Sequence, residues 1–331
     1  MTKKKYRKKR TMKGKIYSVL LTTLFVGVAF LLGMWAERSN VSANWIESSA
    51  SEIYKYIQSL ELPFNKKDID ENIAEMHFFD MGQGASTLLQ AKDGTTILID
   101  TGRYDADKTK IINYLNDEIG IGGKIDLLIF THNDADHIGN GDAVLDYFQV
   151  KEVWMNGMDH TTQTYSEVLD AMLETDVDYK EPKAGEKLDI GDVSIEVYNP
   201  SLEVKNATQN DASLVTRLSV GETALIQSGD ISSQVEGRLI EEYNNKLQSD
   251  IMILGHHGSN TSTSEEWLET VAPEVAVYQA GVENHYGHPH IETIKKVTDR
   301  SVALYGTDRH GTIQINIRQN NQLEILTEEE N

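Results

Sequence analysis

Residues 131–140 read Thr131-His132-Asn133-Asp134-Ala135-Asp136-His137-Ile138-Gly139-Asn140. They follow an apolar run, Ile125-Asp126-Leu127-Leu128-Ile129-Phe130, with the character of a buried strand. Two imidazoles and two carboxylates within six positions of a Gly/Asn-rich loop at a strand end can converge on one or two divalent ions. The plainer alternative is a polar turn in which Asp136 starts the next helix. Such a turn has no need of two histidines as well as two aspartates, so metal-ligand spacing is the better account.

Composition narrows the chemistry. The 331-residue chain has no cysteine, which excludes disulfides, thiolate ligands and a cysteine nucleophile, and leaves His, Asp, Glu or Asn as metal donors. At this length it can hold one large domain or two ordinary ones. The formal charge of −21 hides an asymmetry: residues 1–15 hold nine Lys/Arg and no acid, leaving 22 basic residues against all 52 acidic ones in the remainder. A basic tail precedes an acidic body.

Ile16 to Ala36 is a stretch of 21 residues without charge, long enough to cross a hydrocarbon core of about 30 Å as a helix. With every one of those nine bases before it, the positive-inside rule predicts a cytoplasmic N-terminus and an extracytoplasmic body. Cleavage and secretion is the alternative, since Val41-Ser42-Ala43 resembles a processing site, but the run exceeds an ordinary signal core. Ile46, Ala50, Ile53, Ile57 and Leu60 recur at helical spacing up to Pro63, so residues 37–70 are expected to form a helical stalk. It either packs on the body or pairs with a second copy, and oligomeric state stays open. The expected organisation is a basic tail over 1–15, a spanning helix over 16–36, a stalk over 37–70 and a folded body over 71–331.

In the body, short strands are expected at Met76–Asp80, Ser86–Gln90, Thr95–Asp100, Ile125–Phe130 and Lys151–Met155, with helices over Asp107–Glu118, near 140–148 and over Tyr165–Leu173. A hairpin turns at Gly191-Asp192. The second half repeats the theme: strands Ser213–Val220, Thr223–Gln227, Asp250–Leu254 and Val275–Gln279 alternate with helices over 231–243, 264–270 and up to Val297. Two sheets flanked by helices are best covered as helix, sheet, sheet, helix.

Seven of the ten histidines fall in three loops after predicted strands: His132 and His137; His256 and His257; His285, His288 and His290. Asp100 and Asp230 also end strands. With Asp80-Met81-Gly82-Gln83-Gly84, Leu98-Ile99-Asp100-Thr101-Gly102, the 131–139 loop, Ser228-Gly229-Asp230, Gly255-His256-His257-Gly258-Ser259 and Tyr286-Gly287-His288-Pro289-His290, the chain resembles the metallo-β-lactamase superfamily, in its ComEC-like competence hydrolase and phosphodiesterase branch. The motifs run in the family's order over residues 76–313.

The resemblance implies a four-layer αββα sandwich with two divalent ions at the sheet edge, Zn2+ first and Mn2+ as the alternative that oxygen donors admit. It implies His132 and Asp134 on the first ion, Asp136 and His137 on the second, and Asp230 bridging them. His257 is favoured to complete the ligands of the second ion, with His256 as the alternative, because adjacent side chains after a strand can face opposite ways. Asp100 is expected to orient the ligands from behind. Asp136 and His288 are the catalytic candidates, His288 as a donor to a phosphate oxygen or to a leaving group. His77 is expected to be structural, and His310 lies in a turn that could edge the pocket.

Three departures from the family pattern stand out. Asp134 replaces the commoner His, which argues against β-lactamase activity. Asn210-Asp211-Ala212-Ser213-Leu214 stands where many members have a further His ligand, with His160 available upstream. Ala85 replaces an acid after Gly-Gln-Gly. Paired ions lower the pKa of water and polarise a phosphoryl oxygen, so hydrolysis of a phosphoester is the expected reaction. A small or cell-envelope phosphodiester is the expected substrate. A competence-linked DNA nuclease and a catalytically idle, metal-stabilised binding module are the alternatives, the former disfavoured by the acidic body.

Overall fold

The computed structural model describes residues 72–103, 108–201 and 207–329. The expected basic tail, spanning segment and stalk lie outside the described residues. Among the described residues no helix is long and apolar enough to cross a membrane.

Two sheets face each other. From edge to edge, the first runs Leu323–Thr327, Ile313–Arg318, Asn72–Phe78, Thr87–Ala91, Thr96–Ile99, Leu127–Ile129, Glu152–Trp154 and Asp178–Lys180. The second runs Ala303–Gly306, Val275–Tyr278, Ile251–Ile253, Thr223–Gln227, Val215–Val220, Val193–Asn199 and Lys187–Ile190. Alternation decides which side chains meet between them. Ala74, Met76 and Phe78 point inward with Ile313, Ile315 and Ile317, and pack against Ile195, Leu218, Leu225, Ile251 and Val277 of the other sheet. Each of the larger side chains among them contributes roughly 1.5–3 kcal/mol by leaving water. Glu75 and His77 take the opposite face of the same strand, where Gln314 Nε2 donates to Glu75.

The outer faces are covered by helices, which completes the four layers. Ile111 and Leu115 of helix Thr109–Ile119, Val144 of Gly141–Tyr147 and Val168 of Gln163–Thr175 pack on Leu88, Leu98 and Leu128. Leu239 of Ser233–Tyr243, Trp267 of Glu265–Val271 and Val297 of Ile291–Thr298 cover the second sheet in the same way. Strands covered on both faces show unbroken apolar runs, as at Thr96-Ile97-Leu98-Ile99 and Val275-Ala276-Val277-Tyr278, every one buried.

The pairing directions fix where chemistry can occur. In each sheet antiparallel strands lead into four consecutive parallel ones: Thr96–Ile99 through Asp178–Lys180 in the first, Thr223–Gln227 through Ala303–Gly306 in the second. Parallel neighbours need helical crossovers, so the strands' carboxyl ends lie along one edge, where ligand sites of open α/β sheets form. Ile99, Ile129 and Trp154 deliver three loops there, and Gln227, Ile253 and Tyr278 deliver three more.

Four elements differ from the sequence reading. The expected strand Ile125–Phe130 is divided at Asp126 into Lys124–Ile125, which pairs with Gln149–Val150 in a small two-stranded sheet, and Leu127–Ile129. Asp178–Lys180 is an additional edge strand, largely exposed and without an apolar run. The loop after Leu127–Ile129 contains a one-turn helix, Ala135–Ile138, preceded by Asp134. Thr307–His310, expected to be a turn, is another single helical turn.

Candidate active site

Asp100 follows strand Thr96–Ile99 with a left-handed backbone, φ 57°, and its side chain is buried. That conformation costs a non-glycine residue about 1 kcal/mol and turns the carboxylate under the metal-type loop. There it accepts the Thr131 main-chain N–H and the Thr131 hydroxyl, both at 2.8 Å, and faces His137 Nδ1 at 2.8 Å. An ionised carboxylate only accepts, so His137 carries a proton on Nδ1 and, when neutral, aims the Nε2 lone pair into the site. His257 is fixed likewise, Nδ1 lying 2.8 Å from the Gln279 carbonyl oxygen. His132 Nδ1 lies 3.2 Å from Thr131 Oγ1, whose hydrogen is committed to Asp100.

Three imidazoles thus present their Nε2 atoms to one space. The Nε2 atoms of His132, His137 and His257 are all buried and without a hydrogen-bond partner. Opposite them is Asp230, whose Oδ1 lies 3.3 Å from His137 Nε2 and whose Oδ2 lies 3.9 Å from both His132 Nε2 and His257 Nε2. Asp136 Oδ2 lies 3.3 Å from His257 Nε2, and Asp134 Oδ2 lies 3.6 Å from His132 Nε2. Ligand atoms converge in two groups that share His137: His132, His137 and Asp230, and Asp136, His137 and His257. Orphaned imidazole nitrogens facing carboxylates are the donor set of a divalent metal centre, and the residues fit the ions that the sequence implies.

Electrostatics agree with that donor set. Burial opposes ionisation of Asp230, yet the imidazoles of His137 and His257 hold its carboxyl well below the usual range. Asp136 is also held low, His257 outweighing burial. Asp134 is lowered chiefly by its contact with His132. Conversely, burial is overcome at His137 and His257, which the surrounding carboxylates push upward. The pocket is a field that favours positive charge.

The second half supplies its histidines through a left-handed turn rather than an extended strand. His256 and His257 have φ 51° and 55°, so both side chains reach Asp230 instead of opposite faces. The structure distinguishes them by partner: His257 is buried against Asp136, while His256 is part-exposed, 3.6 Å from Asp230 Oδ2 and 3.3 Å from Thr261 Oγ1. Among the described residues His288 makes no ion-pair contact with a carboxylate. Its ring stacks between those of His257 and Tyr286, and burial together with His256 lowers its pKa to about 4. It stays neutral near pH 7 at the open side of the cluster. His290 Nδ1 accepts the Asn260 N–H, and His310 is tied to the backbone of Gly306, which gives both a local structural role. His77 lies in its strand between Glu75 and Glu118, away from the cluster.

Several contributors were given no role by the sequence reading, although Thr131, the Gly82-Gln83-Gly84 turn and Ala85 lie in or beside its motifs. Thr131 links Asp100 to both loop histidines, and Gln279 sets the tautomer of His257 through its carbonyl, which any residue type could supply. Ser213 Oγ accepts the Asp230 main-chain N–H at 3.2 Å. Gly84 admits no Cβ, which would lie 2.6 Å from Arg103 N and 2.7 Å from Asp136 O, so the Gly82-Gln83-Gly84 turn rests directly on the metal-type loop. Its neighbour Ala85 donates its N–H to the Asp136 carbonyl.

Comparison with known proteins places these features in context. The family model described as the metallo-β-lactamase superfamily matches residues 79–282. ComE operon protein 3 of Bacillus subtilis is 30% identical over 254 residues, which is 72% of this chain and 32% of that protein. Competence protein ComA of Neisseria gonorrhoeae is 32% identical over 254 residues, 77% of this chain and 34% of that protein. The chain therefore spans about a third of the length of these curated relatives. A solved CmlA β-hydroxylase mutant matches with a TM-score of 0.50 at 14% identity, covering 73% of this chain and 54% of that one, a likeness of fold alone.

Proposed function

Because the chain belongs to the metallo-β-lactamase superfamily, we propose that it is a membrane-anchored, extracytoplasmic phosphodiesterase that depends on two divalent metal ions. The observation that carries this reading is the convergence of the unpartnered His132, His137 and His257 nitrogens on Asp230 and Asp136. Membership alone does not fix the chemistry, since a β-hydroxylase shares the fold.

Divalent ions at this centre would lower the pKa of water and neutralise charge on a phosphoryl group. Zn2+ suits the imidazoles, and the oxygens of Asp134, Asp136 and Asp230 also suit Mn2+. The chain's own residues do the rest. Asp230 would bridge the two ligand groups, with Asp134 and His132 on one side and Asp136, His137 and His257 on the other. Asp100 and Thr131 hold the imidazole tautomers. His256 and His288 stand at the open side, where neutral rings can donate to or accept from a substrate oxygen. No side chain need act as a nucleophile.

For the substrate, the charge balance favours a small or zwitterionic diester of the cell envelope over a long polyanion. Three of the body's bases are engaged by acids: Lys108 contacts Asp142, Lys110 lies 3.3 Å from Asp80, and Arg217 lies 3.4 Å from Glu196. The name of one relative, Competence protein ComA, favours the second reading, a DNA nuclease linked to competence. Parallel assays of full-length, metal-loaded protein on a small phosphodiester and on DNA, across a salt titration, separate the two. Turnover of the small diester, with DNA cut only at low salt, is expected. Efficient DNA cleavage at physiological ionic strength without small-diester turnover would favour the nuclease.

A further inference from the structure

The segment 210–214, where the family resemblance implies a further imidazole ligand, holds none, and what the preceding residue, Gln209, does points to a substitute. Its Nε2 donates to the Asp159 carbonyl at 2.9 Å, and its Oε1 faces Asn133 N and Asn156 Nδ2, both at 3.4 Å. Asn133, inside the metal-type loop, donates through Nδ2 to Asn156 Oδ1 at 3.3 Å and to the Met158 carbonyl. Asn133, Asn156 and Gln209 therefore clamp the loop after strand Glu152–Trp154 against the metal-type loop.

The clamped loop delivers His160, whose Nε2 lies 3.3 Å from Asp134 Oδ1. Its tautomer is the reverse of that in the three convergent histidines. The Thr162 main-chain N–H donates to His160 Nδ1 at 3.2 Å, so Nδ1 keeps its lone pair and the ring hydrogen sits on Nε2, toward Asp134. Thr162 is itself fixed as the cap of helix Gln163–Thr175, accepting the Tyr165 N–H, and the Tyr165 ring meets His160 edge-on at 6.4 Å. A ring held this way offers a hydrogen to a carboxylate rather than an electron pair to a cation.

We infer that His160 is a positioning residue: its Nε2–H holds Oδ1 of Asp134, so that Oδ2, 3.6 Å from His132 Nε2, is presented to the first ion. This rests on the metal-centre reading proposed above. It explains how Asp134, the most exposed member of the set at 37%, keeps one orientation without a further imidazole ligand beside it. Loss of a group that orients a ligand typically weakens metal binding roughly 10–100-fold.

The test uses the full-length protein, with first-ion affinity measured by chelator competition and imidazoles counted by X-ray absorption of the zinc-loaded form. His160→Ala should weaken the first ion by that factor, and His160→Gln, whose carboxamide still donates, should recover most of it. In an Asp134→Asn background His160→Ala should add nothing further, since the effect runs through the carboxylate. The imidazole count should be the same in wild type and His160→Gln. A count that falls by one in His160→Gln would make His160 a ligand and overturn the inference, as would additive losses in the double variant. A wild type that binds no ion at Asp134 would overturn the dinuclear reading together with this inference, whereas two bound ions with a His160-dependent imidazole count would overturn this inference alone.

Discussion

Asp230 faces more of the cluster than any other side chain, reaching His132, His137, His256 and His257 from a buried position. Asp230→Ala removes the shared carboxylate, so metal content should fall at both ligand groups and hydrolysis should be lost. Retention of both ions at near-normal affinity, read by metal analysis after dialysis, would assign the bridge elsewhere. His288 gives a pH prediction. Burial and the rings of His256, His257 and His290 hold it near 4, whereas an unfolded chain takes up that proton near about 6.5. Between those values the unfolded state binds more protons, so this contribution to stability is present above about 6.5 and is lost as pH falls toward 4. His288→Gln should flatten that part of the stability curve of metal-stripped protein in denaturant melts, and an unchanged slope would contradict the account. The residue types of the cluster were legible in the sequence because metal ligation demands them at fixed spacings. The assignment between His256 and His257 was not, because it depends on two consecutive left-handed residues that no residue-type preference announces.

Six strand ends along one edge make the site an outcome of pairing direction, and each of those strands carried a continuous or alternating apolar pattern that sequence could register. Asp178–Lys180 had none, and the single turns Ala135–Ile138 and Thr307–His310 are too short to show a helical period. The strands tolerate little change. Leu98 is fully buried beneath helix Thr109–Ile119, and Leu98→Ala should cost about 2–5 kcal/mol in equilibrium unfolding. A loss below about 1 kcal/mol would mean that the outer layer packs loosely. The motif glycines give a sharper contrast. Gly84→Ala and Gly94→Ala both place a side chain at positive φ, but only the first meets backbone, at Arg103 N and Asp136 O, while nothing lies within 4 Å of the second. Metal affinity should drop in Gly84→Ala and hold in Gly94→Ala. Equal effects would show that backbone strain alone, and not contact with the Asp136 loop, decides the outcome.

At the scale of the whole chain, charge and topology carry the remaining expectations. The nine bases before Ile16 and the uncharged run to Ala36 place the body outside the cytoplasm in our reading. Protease added to intact, wall-stripped cells should then digest residues 72–329, and protection would contradict the placement. Two layers of sheet and two of helix were readable from the alternation of elements. Substrate identity was not, because an acidic body limits which polyanions approach without naming what binds. The central claim is that the cluster around Asp230 is a two-ion hydrolytic centre for phosphodiesters. The most direct measurement is turnover of a small phosphodiester by full-length protein during stepwise titration of Mn2+ or Zn2+ into the metal-stripped form, with bound metal counted at each step. The account predicts activity that rises to a plateau at two ions per chain and is absent at every step in Asp230→Ala. Full turnover with no bound metal, or equal turnover in Asp230→Ala, would contradict it.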